Sequence, residues 1–151
     1  MSKIQILAVA AVVALLPFTA AAQKTGQGKS LYGRLGGKPA ITAVVDEFVA
    51  RVAADNRINH FFAATASNPA QLASFKMKLV DQICEAAGGP CQYRGKDMKD
   101  AHQGMGISAA DFNALVEDLV GALDKFKVGA AEKNQLLGVL GPMQGQIVEK
   151  R

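Results

Sequence analysis

The sequence has no tryptophan, and its ring-bearing side chains are 7 phenylalanines, 2 tyrosines and 2 histidines. A large flat ligand would find few stacking partners in such a chain, so each ring needs an explanation. A large excess of one charge is also missing, since 17 Lys and Arg against 13 Asp and Glu give a formal net charge of only +4. The lysines are scattered rather than gathered in a run, which argues against nucleic acid as a partner.

The chain lacks the compositional bias of disordered or fibrous proteins. Half of its 151 residues are hydrophobic and 20% are charged, which excludes a disordered chain. Its 15 glycines and 5 prolines follow no triplet repeat, which excludes a collagen-like chain. The length allows one ordinary domain.

The N-terminal residues predict a secretion signal rather than part of the fold. Lys3 is followed by the apolar stretch Ile4–Leu16 and then by small residues that include Ala20 and Ala22. The stretch is shorter than the about 20 residues that span a membrane, and small side chains suit a signal peptidase. We therefore expect a signal peptide over 1–22. An uncleaved N-terminal anchor is the alternative.

Cleavage before Gln23 would leave a flexible N-terminal segment over 23–29 and one domain over 30–151. The mature protein would then be exported, to the periplasm, and would not associate with a membrane. Apolar residues at three-and-four spacing predict an all-α domain, and no alternating strand pattern competes. The predicted helices run over 38–56, from Asn68 to the Gly88-Gly89 stop, from Ser108 onward, and over 130–148 with a kink at Gly141-Pro142.

Cysteine is scarce, with only Cys84 and Cys91 in the chain. In an oxidising compartment a disulfide is the default for an even count. Seven residues of continuous helix would hold the two Cα atoms about 10.5 Å apart, but Gly88 to Pro90 end the helix and let the chain turn back. Two reduced, buried thiols are the alternative. No four-ligand zinc pattern exists.

The glycine-rich segment from Gly88 to Gly106 needs an explanation other than packing. It costs folding entropy, yet it brings one imidazole, His102, onto a short helical stretch around 96–103, with Met98 four residues earlier on the same face. This is one way to present an axial ligand to a metal-bearing cofactor. A surface histidine on a lysine-rich loop fits these residues equally well.

Four strings resemble the group 1 truncated haemoglobins in order and spacing. They are LYGRLGG at 31–37, FF at 61–62, GGPCQYRG at 88–95 and DMKDAHQGMGIS at 97–108. The resemblance covers nearly all of the chain beyond the signal. It implies a truncated globin fold, a two-over-two helical sandwich around haem. The cofactor would be haem b, bound non-covalently, since no Cys-x-x-Cys-His run is present.

The resemblance also assigns roles to single residues. His102 resembles the proximal histidine, whose imidazole binds the haem iron and leaves the opposite face for a gas. Phe62 corresponds to a phenylalanine packed on the haem, and Met98 and Phe112 correspond to apolar residues of the haem pocket. Ordinary core packing is the alternative for these three. Phe75 and Leu79 are expected to face the haem from the distal helix.

The distal side departs from the family pattern. Relatives that hold oxygen tightly have tyrosine where this chain has Val49, so that hydrogen-bond donor is missing. Gln82 and Ile83 also fall near pocket-facing positions, although for Gln82 an exposed side chain is the expectation. Lys78 falls where some relatives place a side chain that coordinates the sixth iron position, and a solvated lysine is its alternative.

Three functions are consistent with these residues and with the resemblance. The leading one is a ligand-binding haem protein that reversibly binds or transports oxygen or another diatomic gas. The second is an enzyme, a nitric oxide dioxygenase or peroxidase-type protein, which Val49 weakens because a distal donor would stabilise negative charge. The third is a low-spin electron-transfer or haem-sensing protein, with Lys78 or His60 at the sixth position. A reductase or other electron donor is a further expected partner, and a helical module without haem is the last alternative.

Overall fold

The structure is a computed structural model that describes residues 29–150. The predicted signal peptide, and the segment over 23–29 apart from Lys29, lie outside the described residues. Within 29–150 the secondary structure is helical, with one isolated parallel bridge between Ser108 and Lys150 and no strands. The α-helices are α1 (Leu31–Arg34), α2 (Gly37–Ala54), α3 (Ala63–Ala66), α4 (Pro69–Ala86), α5 (Met98–His102), α6 (Ala109–Lys125), α7 (Ala130–Leu140) and α8 (Gln144–Ile147). Single 3-10 turns cover Asn59–Phe62 and Gly141–Met143.

The long helices begin where local side-chain chemistry satisfies their first backbone N–H groups. The Asn68 side chain accepts from the N–H groups of Ala70 and Gln71 at 3.0 and 3.1 Å, directly before Pro69. Ser108 and Asp111 form a complete capping box at the start of α6. These two starts agree with the predicted ones.

Glycine sets the turn before α2 and the end of α4. Gly36 and Gly37 have φ of 96° and 75°, a left-handed backbone that side-chain-bearing residues rarely adopt. Gly88, with φ of 77°, follows α4. The constraint on Gly89 is steric instead, because a Cβ there would lie 2.5 Å from Cδ2 of Tyr32 and 2.7 Å from Sγ of Cys84.

The core lies between α2, α4 and α6. Helix α2 packs against both α4 and α6, and its buried face carries the apolar residues that the spacing predicts. A second, smaller apolar cluster is formed by Ile107, Phe112 and Ile147, where the loop after α5 meets α6 and α8. The predicted kink is present, since the last helix divides at Gly141–Met143. The buried residues of α2 are Ile41, Val44, Val45, Phe48 and Val52.

A disulfide in the structure joins Cys84, near the end of α4, to Cys91 in the following loop, with their Cα atoms 5.7 Å apart. The backbone N–H of Gly89 donates to the carbonyl of Cys84 at 2.8 Å and closes the turn between them. The bridge therefore ties α4 to the start of the loop that leads to His102. Among residues 29–150 no helix combines the length and the hydrophobicity needed to cross a membrane.

Candidate functional site

A cavity of about 960 Å³ opens between α2, α4, α5, α6 and the 3-10 turn Asn59–Phe62. Its volume lies at the upper end of the range of about 300–1,000 Å³ that is usual for ligand pockets. Most of the lining side chains are apolar, and the polar ones are few. Such a slot suits a large and mostly apolar molecule that is held by a small number of polar contacts.

His102 lines this cavity from the last residue of α5. Its Nδ1 lies 2.7 Å from the backbone carbonyl of Met98, and the side chain is partly buried. A carbonyl only accepts, so Nδ1 carries the proton and donates, and Nε2 keeps its lone pair. Metal-binding histidines are oriented in this way by their second ring nitrogen. In the neutral ring, Nε2 of His102 is therefore available as a metal ligand inside the cavity.

Helix α5 is only five residues long, and its start is held by a side chain. Asp97 accepts from the backbone N–H of Asp100 at 2.8 Å, one turn before His102. The observed range Met98–His102 lies inside the predicted stretch over 96–103. Met98 and His102, four residues apart, both line the cavity.

The apolar wall contains every residue expected there. The rings of Phe62 and Phe75 lie next to each other on the cavity wall, with their centroids 5.7 Å apart and their planes tilted by 51°. Phe112 is buried in the smaller apolar cluster, against which Met98 packs. The structure thus brings together on the cavity surface Phe62, Phe75, Leu79, Ile83, Met98, His102 and Phe112.

On the distal side, Val49 lines the cavity and contributes no hydroxyl. Lys78 is exposed and also lines the cavity, as does His60, whose ring lies 4.0 Å from that of Phe61. Gln82 differs from the expectation, because it is partly buried rather than exposed. Its side-chain amide points to the sulfur atoms of Met98 and Met143, at 3.4 and 3.3 Å.

Sequence reasoning missed several polar groups of the cavity. Tyr93 and Lys96 line it, and the hydroxyl of Tyr93 donates to the Lys96 carbonyl at 2.8 Å. Burial raises the pKa of Tyr93, and the negative charge of Asp97 raises it further. Asp111 also lines the cavity, and its hydrogen bond from the Ser108 hydroxyl lowers the pKa of its carboxyl. The only signal for Tyr93 and Lys96 was their place in the loop before His102.

The fold, the slot and the histidine together define a haem-binding globin, and comparison with known proteins agrees. The sequence model of the Bacterial-like globin family matches residues 30–149, and the chain belongs to that family. The prediction of a group 1 truncated haemoglobin with an all-α, two-over-two fold is confirmed.

Two curated relatives illustrate the likeness. The chain is 36% identical over 118 residues to a group 1 truncated hemoglobin of Mycolicibacterium paratuberculosis, covering 78% of this chain and 83% of that one. It is 32% identical over 121 residues to one of Nostoc sp., covering 80% and 98%.

Two solved structures are similar as well. Ferric truncated hemoglobin of Tetrahymena pyriformis gives a TM-score of 0.73 at 31% identity, covering 81% of this chain and 100% of that one. The 2/2 hemoglobin of Synechococcus sp. PCC 7002, in the cyanomet state with covalently attached heme, gives 0.72 at 29%, covering 80% and 99%.

The family implies a haem cofactor, and the residues present fit one. The donor set offers an imidazole nitrogen from His102, which suits iron. The walls offer apolar side chains for a flat macrocycle. Lys78 and Lys96 add positive charge at the cavity, where the carboxylates of such a group need partners.

Proposed function

We propose that this protein binds haem b non-covalently through His102 and reversibly binds oxygen or another diatomic gas. The observation that carries the proposal is the hydrogen bond from Nδ1 of His102 to the Met98 carbonyl inside a large apolar cavity. When bound, haem would supply an iron that accepts a small gas. The chain supplies the axial nitrogen, the apolar surroundings and the charge for the carboxylates.

Three cavity residues, Val49, Gln82 and Tyr93, offer no free donor to a bound gas, and this favours reversible binding over chemistry on the gas. Val49 has no donor group, and both N–H groups of the Gln82 amide have sulfur partners. The Tyr93 hydroxyl donates to the backbone of Lys96. Nitric oxide dioxygenation or peroxide reduction would benefit from a free donor that stabilises negative charge on the distal side. Small neutral gases need no such donor.

A second candidate function rests on Lys78. This lysine lies on the distal helix α4 and lines the cavity, and it takes part in none of the ion pairs between residues of the 29–150 range. Coordination of the sixth iron position by its amine would give a low-spin electron-transfer or haem-sensing protein. In the leading proposal Lys78 instead pairs with a haem carboxylate.

Absorption spectra of the purified protein in ferric, ferrous and carbonyl states test both functions. A five-coordinate ferrous form supports gas binding, and a six-coordinate ferrous form without added ligand supports the Lys78 alternative. In the latter case Lys78→Ala should restore the five-coordinate spectrum.

Replacement of the two histidines tests the ligand assignment. His102→Gly should lose haem and regain it with added imidazole, since one axial bond anchors the cofactor. His60→Ala is the matched control, because it removes the chain's other imidazole and should retain haem. Full haem content and an unchanged ferrous spectrum in His102→Gly would exclude His102 as the ligand.

We propose further that the mature chain is exported to the periplasm. The support is the apolar stretch Ile4–Leu16 followed by small residues. Intact mass of protein from a periplasmic fraction should give an N-terminus at Gln23 and no haem adduct after denaturation. A retained Met1 would contradict cleavage of a signal peptide, and a covalent adduct would contradict the non-covalent binding of haem b.

A further inference from the structure

A single carboxylate holds the loop that follows His102. Oε1 of Glu149 accepts from the backbone N–H of Gly104, and Oε2 accepts from that of Gly106, both at 2.6 Å. Gly104 and Gly106 have φ of 81° and 66°. The left-handed turns bring both N–H groups to the same carboxylate.

Backbone bonds reinforce this contact. The N–H groups of Glu149 and Lys150 both donate to the carbonyl of Ile107, at 2.9 and 3.1 Å. The N–H of Ala109 donates to the carbonyl of Lys150 at 3.3 Å. The side chain of Ile107 is buried against Phe112. Residues 149–150 thus lie along 104–109 and fix that segment to the start of α6.

The five-residue helix α5 is therefore held by a carboxylate at each end. Asp97 caps its start, and Glu149 binds the two amides just past its end, two and four residues after His102. None of the five residues of α5 is fully buried, and the packing of Met98 against the smaller apolar cluster is its main side-chain contact with the core. The two carboxylate contacts therefore add to a small number of contacts that hold this helix.

We propose that Glu149 is a positioning residue for the haem ligand: it holds the loop 103–107 and thereby sets the orientation of His102 toward the iron. This inference rests on the proposed function, because it needs His102 to bind haem. Partners that hydrogen-bond a metal ligand directly usually change metal affinity about 10–100-fold when they are removed, and Glu149 acts one step further out, through the loop, so the low end of that range is expected.

The contact depends on the ionised carboxylate. Hydrogen bonds from the N–H groups of Gly104 and Gly106 lower the pKa of Glu149, so the side chain stays charged in neutral solution. A glutamine offers one acceptor oxygen and an NH₂ group that would oppose the second backbone N–H. Glu149→Gln therefore keeps the shape of the side chain and loses half of the contact.

Resonance Raman and haem-transfer measurements on the haem-loaded protein test the inference. In Glu149→Gln we expect the ferrous iron–histidine stretching band to shift and broaden, and haem to dissociate roughly tenfold faster. Lys150→Ala is the control, because it alters the neighbouring side chain and keeps the backbone bonds. It should leave the band and the rate unchanged.

Amide hydrogen exchange separates positioning from general stability. Faster exchange at Gly104 and Gly106 in Glu149→Gln, with an unchanged Raman band and haem dissociation rate, would overturn the inference and leave the proposed function intact. A wild-type protein that takes up no haem would overturn both. If Glu149→Gln does not fold, Glu149→Asp keeps the charge and is too short to reach both amides. The same shift of the band is then expected, and an unshifted band overturns the inference.

Discussion

The side-chain amide of Gln82 donates to the sulfur of Met143 at 3.3 Å and to that of Met98 at 3.4 Å. Gln82 lies on α4, Met98 begins α5, and Met143 directly precedes α8, so one amide joins three elements around the cavity. Thioether sulfur is a weak acceptor, and the contacts therefore orient the side chain more than they stabilise the fold.

Gln82→Leu should leave the oxygen dissociation rate within about twofold of wild type, because the amide is occupied by sulfur and contributes no donor to a bound gas. Stopped-flow replacement of oxygen by carbon monoxide measures the rate. Gln71→Leu, an exposed glutamine on the same helix, is the control. A large acceleration in Gln82→Leu alone would mean that the amide turns toward the gas.

Val49→Tyr should slow oxygen dissociation by up to about tenfold, since a phenolic hydroxyl on the distal side adds a hydrogen bond worth roughly 0.5–1.5 kcal/mol. Val49→Phe separates the hydroxyl from the added ring, and only the tyrosine should slow the reaction. Equal rates in both variants would show that residue 49 does not reach the gas or that another donor already serves.

The disulfide between Cys84 and Cys91 should be present in exported protein and should stabilise it. For a closed loop of about eight residues, the loss of chain entropy in the unfolded state gives a stabilisation of roughly 2.5 kcal/mol. Reduction of the wild-type protein should lower the free energy of unfolding by this amount, measured by denaturant titration at fixed haem saturation. Mass spectrometry after alkylation without reduction checks the pairing. Two labelled thiols per chain would exclude the bridge, and a two-hydrogen mass deficit without label would establish it.

Asp118→Asn should stabilise the protein at neutral pH. One carboxyl oxygen of Asp118 is buried without a hydrogen-bond partner among the described residues. Burial raises the pKa of Asp118, and the negative charges of Asp55 and Glu117 raise it further. The positive charges of Arg57 and Arg51 lower it in part. An amide at this position can donate to Asp55 at any pH.

The pH dependence of that gain follows from the raised pKa. The folded protein holds the Asp118 proton at pH values where the unfolded chain has lost it, so the contribution of Asp118 to the free energy of unfolding falls as pH rises above about 4. The stability difference between Asp118→Asn and wild type should thus be small near pH 3 and grow toward pH 7. Thermal unfolding across this range measures it, and a difference that shrinks with pH would contradict the assignment.

Lys127→Gly should raise the free energy of unfolding by about 1 kcal/mol. Lys127 is the one residue other than glycine with positive φ within the 29–150 range, at 55°, in the turn between α6 and α7. A left-handed backbone strains any residue with a Cβ, and glycine removes that strain. Lys127→Ala keeps the Cβ and removes the charge, so the free energy of unfolding of this variant should not rise above that of wild type. Equal stabilisation of both variants would assign the effect to charge.

Local chemistry explains which elements the sequence predicts well. The Asn68 cap, the capping box of Ser108 and Asp111, and the kink at Gly141 each depend on neighbours within four residues. His102 and Met98 were found for the same reason, since a helical turn places them on one face. The apolar residues of the cavity wall were predicted from the family resemblance together with the helical spacing.

Long-range contacts explain what the sequence did not predict. The partners of Glu149 lie 45 and 43 residues away, and no local pattern marks this residue. The polarity of Gln82 predicted an exposed side chain. In the fold its amide instead contacts the sulfur atoms of Met98 on α5 and Met143 before α8. Tertiary packing, rather than propensity, decides both cases.

The distance along the chain between Gly104 and Glu149 also has a consequence for biosynthesis. At a translation rate of about 5–20 residues per second, the 45 residues between them take roughly 2–9 s to make. During that interval a nascent chain contains His102 without the carboxylate that holds the following loop. A chain cut before residue 149 would keep the histidine and lose this support.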